Sequence, residues 1–197
     1  MGTTKDIVRR ASLAGYVVGI AGGLALVSLG LFFWIGEPFG TINDLELVVM
    51  TAAIPFLMLA FWELGGLTPT PLALVAQATG WLAAAAWCVT QLLFVAGVVD
   101  IDYFAPATGA YAVESVALIV IGLWIAGANL LAGPWLRALR WFGIVTGIGL
   151  VWYGAGTLIS GGEGMLVYAG AFAWLVLLPI WGLLMAVYLG RLQPDLE

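Results

Sequence analysis

Met165–Gly190 reads MLVYAGAFAWLVLLPIWGLLMAVYLG, twenty-six residues without an Asp, Glu, Lys or Arg. A hydrocarbon layer about 30 Å thick is crossed by roughly 20 apolar residues in an α-helix, the one single-segment structure that satisfies its own backbone hydrogen bonds there. This stretch therefore specifies a membrane-spanning helix. Working back toward the N-terminus, comparable runs occupy Trp135–Ser160, Ala112–Ala132, Leu72–Gly97, Asn43–Leu64 and Ala11–Ile35. Six spans use up most of the 197 residues, of which 63% are hydrophobic and 9% charged, well outside the range of a water-soluble domain. The expected fold is all-α: one integral membrane bundle of six transmembrane helices over 1–197. The first run is long and has no small-residue cleavage site after a short apolar region, so it reads as a retained helix and not as a signal peptide.

Charge sets the expected orientation. With six spans, Lys5, Arg9, Arg10, Arg137, Arg140 and Arg191 all fall on the side that carries the two chain ends. Basic residues are kept on the cytoplasmic side during insertion, so both termini are expected to be cytoplasmic. The opposite face collects Glu37, Asp44, Glu46, Asp100, Asp102, Glu114 and Glu163. This acidic rim reads either as a device that concentrates cations locally or simply as solvated loops. The chain has no basic patch of the kind nucleic acid requires.

Helix ends carry local signals. Asn43 with Glu46 has the spacing of a capping box for the second helix, and Thr70-Pro71 offers an N-cap and a first-turn proline for the third. Gly133-Pro134 is expected to end the fourth helix and start the fifth within two residues, giving an antiparallel hairpin, and Gly161-Gly162 to close the fifth. The longest connection, Val98–Tyr111, is the best placed to form a lid or a partner contact. Gly15, Gly19 and Gly23 recur every four residues, as do Gly143 and Gly147, a spacing that lets helices approach closely within one bundle or between protomers. Pro55 and Pro179 are expected to kink their helices.

The chain has no histidine and one cysteine, Cys88. This excludes intrachain disulfides, histidine-ligated haem, histidine-containing zinc sites and histidine-dependent nucleophiles. The only lysine, Lys5, precedes the first span, which excludes a retinal Schiff base inside the bundle. Glu46 and Glu114 are expected at the far ends of their helices and Glu63 at the other end of the second, all within reach of water. No acid–base pair is then expected inside the membrane, and an enzyme is not expected. The neutral amides Gln77, Gln91 and Asn129 either hydrogen-bond a neighbouring helix or line a path for an uncharged solute.

The ten tryptophans are the most unusual feature. Trp34, Trp62, Trp135 and Trp141 lie near helix ends, as interfacial rings do. Trp174 and Trp181 are seven residues apart, on one face of an ideal α-helix on either side of Pro179. With Trp152 and Tyr153 they make a candidate pocket for a lipid tail, a quinone or a carotenoid, the alternative being packing without a ligand.

Gly133-Pro134-Trp135-Leu136, followed by Gly143 and Gly147, resembles the corresponding hairpin of poorly characterised six-helix bacterial integral-membrane proteins. That resemblance covers about a quarter of the chain and implies a multi-pass protein of the cell membrane of a bacterium or archaeon. In size and helix count the chain is also similar to proton-gated urea and amide channels, whose characteristic motifs it lacks. The functional expectation is a non-enzymatic accessory or scaffold subunit, or a binder of a lipid or hydrophobic ligand. The alternative is a passive channel or facilitator for a small neutral solute. Membrane lipids, other membrane subunits or a second copy of the chain are the expected partners. No cofactor is required, although a lipid, quinone or carotenoid fits the aromatic content.

Overall fold

The computed structural model describes residues 3–65, 70–103 and 105–192. Those residues are all-helical in their regular structure, with α1 (Thr4–Ile35), α2 (Phe39–Leu64), α3 (Pro71–Val95), α4 (Gly109–Leu131), α5 (Arg140–Ser160) and α6 (Met165–Leu192). Each of these six helices is long and apolar enough to cross a membrane, the arrangement of a multi-pass bundle. Consecutive helices pack as neighbours and α6 returns to α1, so the six close into a ring. The start of α1 and the end of α6 share one end of the bundle, here the terminal end. There Ser12 Oγ donates to the Ala186 carbonyl at 2.8 Å, and Thr4 Oγ1 donates to Glu63 at 2.5 Å. The ring encloses Met50, Ile54, Leu57, Ile121, Ile125 and Trp181, all fully buried. Leu13, Leu24, Phe33, Leu82 and Leu123 face outward, as lipid-facing side chains do.

Small residues set the close crossings. Against α6, Gly15 lies under the Gly182 carbonyl, Gly19 under Leu183 and Pro179, and Gly22 under Pro179. Gly23 has nothing within 4 Å of its Cβ position, so the expected Gly15-Gly19-Gly23 stripe turns at its last member to Gly22. Gly122 and Gly147 meet where α4 crosses α5, each Cβ position 2.5 Å from the other's carbonyl oxygen. Both glycine motifs are thus helix contacts inside the bundle.

Several boundaries differ from those expected, because hydropathy marks what lipid tolerates and not where hydrogen bonding begins. Helix α1 starts at Thr4, ahead of the apolar run. The Thr3 side chain caps it by accepting from the Asp6 amide at 3.3 Å and donating to the Asp6 carboxylate at 3.1 Å. Helix α2 starts at Phe39, and Glu37 accepts from the Thr41 amide at 3.3 Å. Asn43 is therefore no N-cap: its amide crosses to the Ala25 carbonyl of α1 at 2.7 Å and is buried. The expected cap at Thr70 is present, accepting from the Ala73 amide at 3.2 Å. Between α4 and α5 the reversal takes residues 132–139, through a 3-10 turn at Pro134–Leu136, and not the two residues Gly133-Pro134 suggested. Arg140 donates to the Ala132 carbonyl and helps to hold this turn. Gly161 ends α5 as expected, with φ 69° and its amide on the Thr157 carbonyl at 3.1 Å.

Helix α2 runs unbroken through Pro55. Just before Pro179, α6 widens into a π turn at Ala173–Leu177, an accommodation often seen where the regular hydrogen-bond ladder is interrupted. The residue taken up in that turn moves Trp174 and Trp181 off the common face that seven-residue spacing implies. Trp174 packs on Trp87 of α3 with centroids 5.3 Å apart, whereas Trp181 stacks on Phe61 of α2 at 6.2 Å.

Candidate functional site

At the far end of the bundle, residues 96–103 and 105–108 lie across the helix ends. The Ala107 amide donates to the Thr157 carbonyl at 3.0 Å. The carbonyls of Ala105 and Tyr103 rest on Gly161 and Gly162, close enough that a Cβ at either glycine would strike them. This seats the Tyr103 ring edge-on between Phe94 and Tyr111, with centroids 5.8 and 5.2 Å away.

Beneath the loop is a polar cluster drawn from four helices. Glu114 of α4 is 3% exposed and Gln91 of α3 is 2% exposed. The Gln91 amide lies beside both the Asp44 carboxylate of α2 and the Tyr103 hydroxyl. Ser115 donates to the Tyr111 carbonyl at 2.8 Å, and its Oγ lies 2.8 Å from Thr157 Oγ1 of α5. Half-buried Tyr153 is near enough to Tyr111 and Glu114 to feel their charge. Among the described residues, Glu114 Oε1 and Gln91 Oε1 are buried and have no hydrogen-bond partner.

Glu114 was expected to be within reach of water, and this is corrected: its side chain is buried. Asp44 and Glu114 are each the sixth residue of a helix, since α2 and α4 start before their apolar runs do. That offset places both acids about a turn deeper than the sequence suggests, and the loop covers them. Chain position gives no warning that Asp44, Gln91, Tyr103 and Glu114 meet. The only available signal was the length of the Val98–Tyr111 connection.

Burial pushes the Tyr103 phenol well above its ordinary value, the negative charges of Glu114 and Asp44 add to this, and the Gln91 amide opposes it. Neutral Tyr103 therefore contributes stability that is fully present below the free phenol value of about 10 and is lost as pH rises beyond it. In alkaline titration, the difference in phenolate absorbance between wild type and Tyr103→Phe is expected to stay silent to about pH 11 in the folded protein and to appear on unfolding. A phenolate forming near the free value would show that the loop does not bury Tyr103.

No protein-family model matches the chain, and neither a curated protein nor a solved structure does.

The other candidate residues lie apart from this cluster and from one another. Trp152 is 48% exposed on the outside of α5. Trp174 and Trp181 are buried with separate aromatic partners, so the four aromatic residues Trp152, Tyr153, Trp174 and Trp181 do not line one pocket. Asn129 is fully buried in the α4–α5 crossing against Gly143, its Nδ2 donating to the Ile125 carbonyl at 2.8 Å. Gln77 lies toward the terminal end of α3, fourteen residues or about 21 Å of helix from Gln91.

Gln77 lines a second feature, a lateral groove between α2, α3 and α4 of about 210 Å³. Its walls include Met58, Phe61, Trp62, Trp124 and Leu131. Behind it an aromatic chain runs from Trp181 to Phe61, on to Trp135 at 5.4 Å and then Tyr188 at 6.4 Å. Helix α3 is the least buried of the six helices, and Gly127 of α4 brings no side chain into the groove. Among the described residues Gln77 Nε2 is buried and has no acceptor.

Proposed function

We propose that this chain is a non-enzymatic multi-pass membrane protein that binds a lipid or similar hydrophobic ligand in the α2–α3–α4 groove. The observation that carries this reading is the unpartnered Gln77 Nε2 in a groove whose walls, Thr70 apart, are apolar and aromatic. A buried amide donor without an acceptor is costly, and a ligand that presents a carbonyl oxygen among apolar atoms, such as an acyl ester or a quinone-type ring, relieves that cost. At about 210 Å³ the groove suits a tail segment or one ring and is small for a whole drug-sized molecule. The basic residues at the terminal end favour a cytoplasmic location for that end, in the cell membrane of a bacterium or archaeon, which puts the groove in the inner leaflet.

A second groove on the α3–α4 surface, about 480 Å³ and lined by Ala83, Ala86, Ala112, Val113 and Val116, suits an apolar helix. It favours the related reading of an accessory subunit that binds other membrane subunits or its own copy. The facilitator alternative asks Gln77, Gln91 and Asn129 to share a path. Their separation, with Ala83, Ala84 and Trp87 between the two glutamines on α3, argues against it.

Native mass spectrometry of protein extracted gently from its own membrane tests the groove. The wild type is expected to carry a lipid-sized adduct that Gly127→Phe removes, since Gly127 lines the groove and a Cβ added there meets nothing within 4 Å, leaving the ring room to fill it. An adduct that survives Gly127→Phe, or a bare wild-type protein, would exclude this site.

A further inference from the structure

We propose that the far-end cluster is a binding site for a hard metal cation of the size and charge of Ca²⁺, held by the carboxylates of Asp44 and Glu114 and by Gln91 Oε1. This goes beyond the groove reading and does not depend on it. Three observations carry it. Glu114 is 3% exposed and Gln91 2% exposed, and each has a buried oxygen acceptor that no donor among the described residues serves. Gln91 lies close enough to Asp44 and to Tyr103 for its amide to act on both, which places it with the cluster. All six basic side chains belong to the terminal end, at Lys5, Arg9, Arg10, Arg137, Arg140 and Arg191, and none reaches the two acids.

Two carboxylates without a basic partner, one buried and one half-buried, are neutralised either by protons or by a cation, and a cation can in addition serve the unpartnered carbonyl and carboxylate oxygens. One divalent cation meets both needs. The available donors are all oxygens: two carboxylates, an amide carbonyl and the nearby hydroxyls of Tyr103 and Ser115. This is the hard donor set that Ca²⁺ accepts in irregular geometry, whereas Mg²⁺ demands a near-ideal octahedron. Entry is from the acidic far end, where Glu37 adds its charge beside Asp44 and raises the local cation concentration. A bound ion would tie α2, α3 and α4 together beneath the loop.

The test uses the full chain in detergent micelles with Tb³⁺ as the probe, since tyrosine next to the ion sensitises its emission. Sensitised Tb³⁺ emission is expected in the wild type and is expected to be displaced by Ca²⁺ in preference to Mg²⁺. Glu114→Gln and, at the less buried position, Asp44→Asn are each expected to weaken Ca²⁺ competition on the order of tenfold or more, given that loss of even an outer-shell partner costs 10–100-fold. Two results would overturn the proposal. Ca²⁺ that neither displaces Tb³⁺ nor raises the melting temperature of the wild type would mean that protons alone neutralise the pair. Competition unchanged in both variants would put the ion on exposed far-end acids such as Glu37 and Glu163.

Discussion

Gly147→Leu is expected to break the bundle at the crossing of α4 and α5. A Cβ at Gly147 would sit 2.5 Å from the Gly122 carbonyl oxygen and 2.6 Å from the Ala126 amide nitrogen. Both are backbone atoms of a helix, so they cannot rotate away, and the two helices must separate. The same crossing holds Asn129 against Gly143 and the Ser115 carbonyl 2.3 Å from the Cβ position of Gly154, so separation at Gly147 loosens contacts above and below it. In lipid no hydrophobic force drives the helices back together, and dispersion contacts and hydrogen bonds lost by separation are not regained elsewhere. Overpacking of this kind costs about 3 kcal/mol or more, which for a chain of this length is a fall on the order of 10 °C in melting temperature, or failure to fold. The matched control is Gly23→Leu, at an exposed position where an added Cβ meets nothing within 4 Å, and a change within about 0.5 kcal/mol is expected. Thermal unfolding in detergent followed by tryptophan emission checks both variants. Equal melting temperatures would mean that α4 and α5 do not cross at Gly122 and Gly147.

The number of helices and their apolar extents were legible in the sequence because lipid leaves the backbone few choices, and a run such as Met165–Gly190 has only one reading. The Thr70 and Gly161 helix ends were legible for a similar reason, since each depends on a residue and its near neighbours. Asn43 shows where local signals mislead. Its spacing to Glu46 fits a cap, but an acceptor in α1 took the side chain and Glu37 took the role. Trp174 and Trp181 show how a periodicity argument fails when one turn is not α-helical, since the π turn before Pro179 is not written in the spacing itself. The far-end cluster was the least legible part. Asp44, Gln91, Tyr103 and Glu114 are brought together by the closing of the ring and by the loop above it, both products of long-range packing. Taken singly, Asp44 and Glu114 look like ordinary helix-end acids, Gln91 like a polar residue within a span and Tyr103 like a loop residue.

Gly161→Ala is expected to lift that loop while leaving the six helices in place. Gly161 has φ 69° and ψ −147°, a region in which residues with a Cβ are strained by about 1–3 kcal/mol. The added Cβ would also meet the Ala105 carbonyl oxygen at 2.5 Å, so the loop cannot stay seated even if the backbone tolerates the strain. Ala105 is two residues from Ala107, whose amide hydrogen bond to the Thr157 carbonyl ties the loop to α5. Hydrogen–deuterium exchange at the Ala107 amide is therefore expected to quicken by about a hundredfold, the equivalent of roughly 3 kcal/mol, while amides in the middle of α4 and α5 keep their wild-type protection. The variant separates two roles for the loop. If the loop is what keeps Glu114 and Gln91 from water, its release lets water reach their unserved oxygens. The electrostatic need for a counter-ion then falls, because a hydrated carboxylate needs no partner. The exchange rate at Ala107 and the Ca²⁺ response of the cluster should then change together. Rapid exchange at Ala107 with an unaltered Ca²⁺ response would mean that the helices alone bury the two acids and that the loop only rests on them.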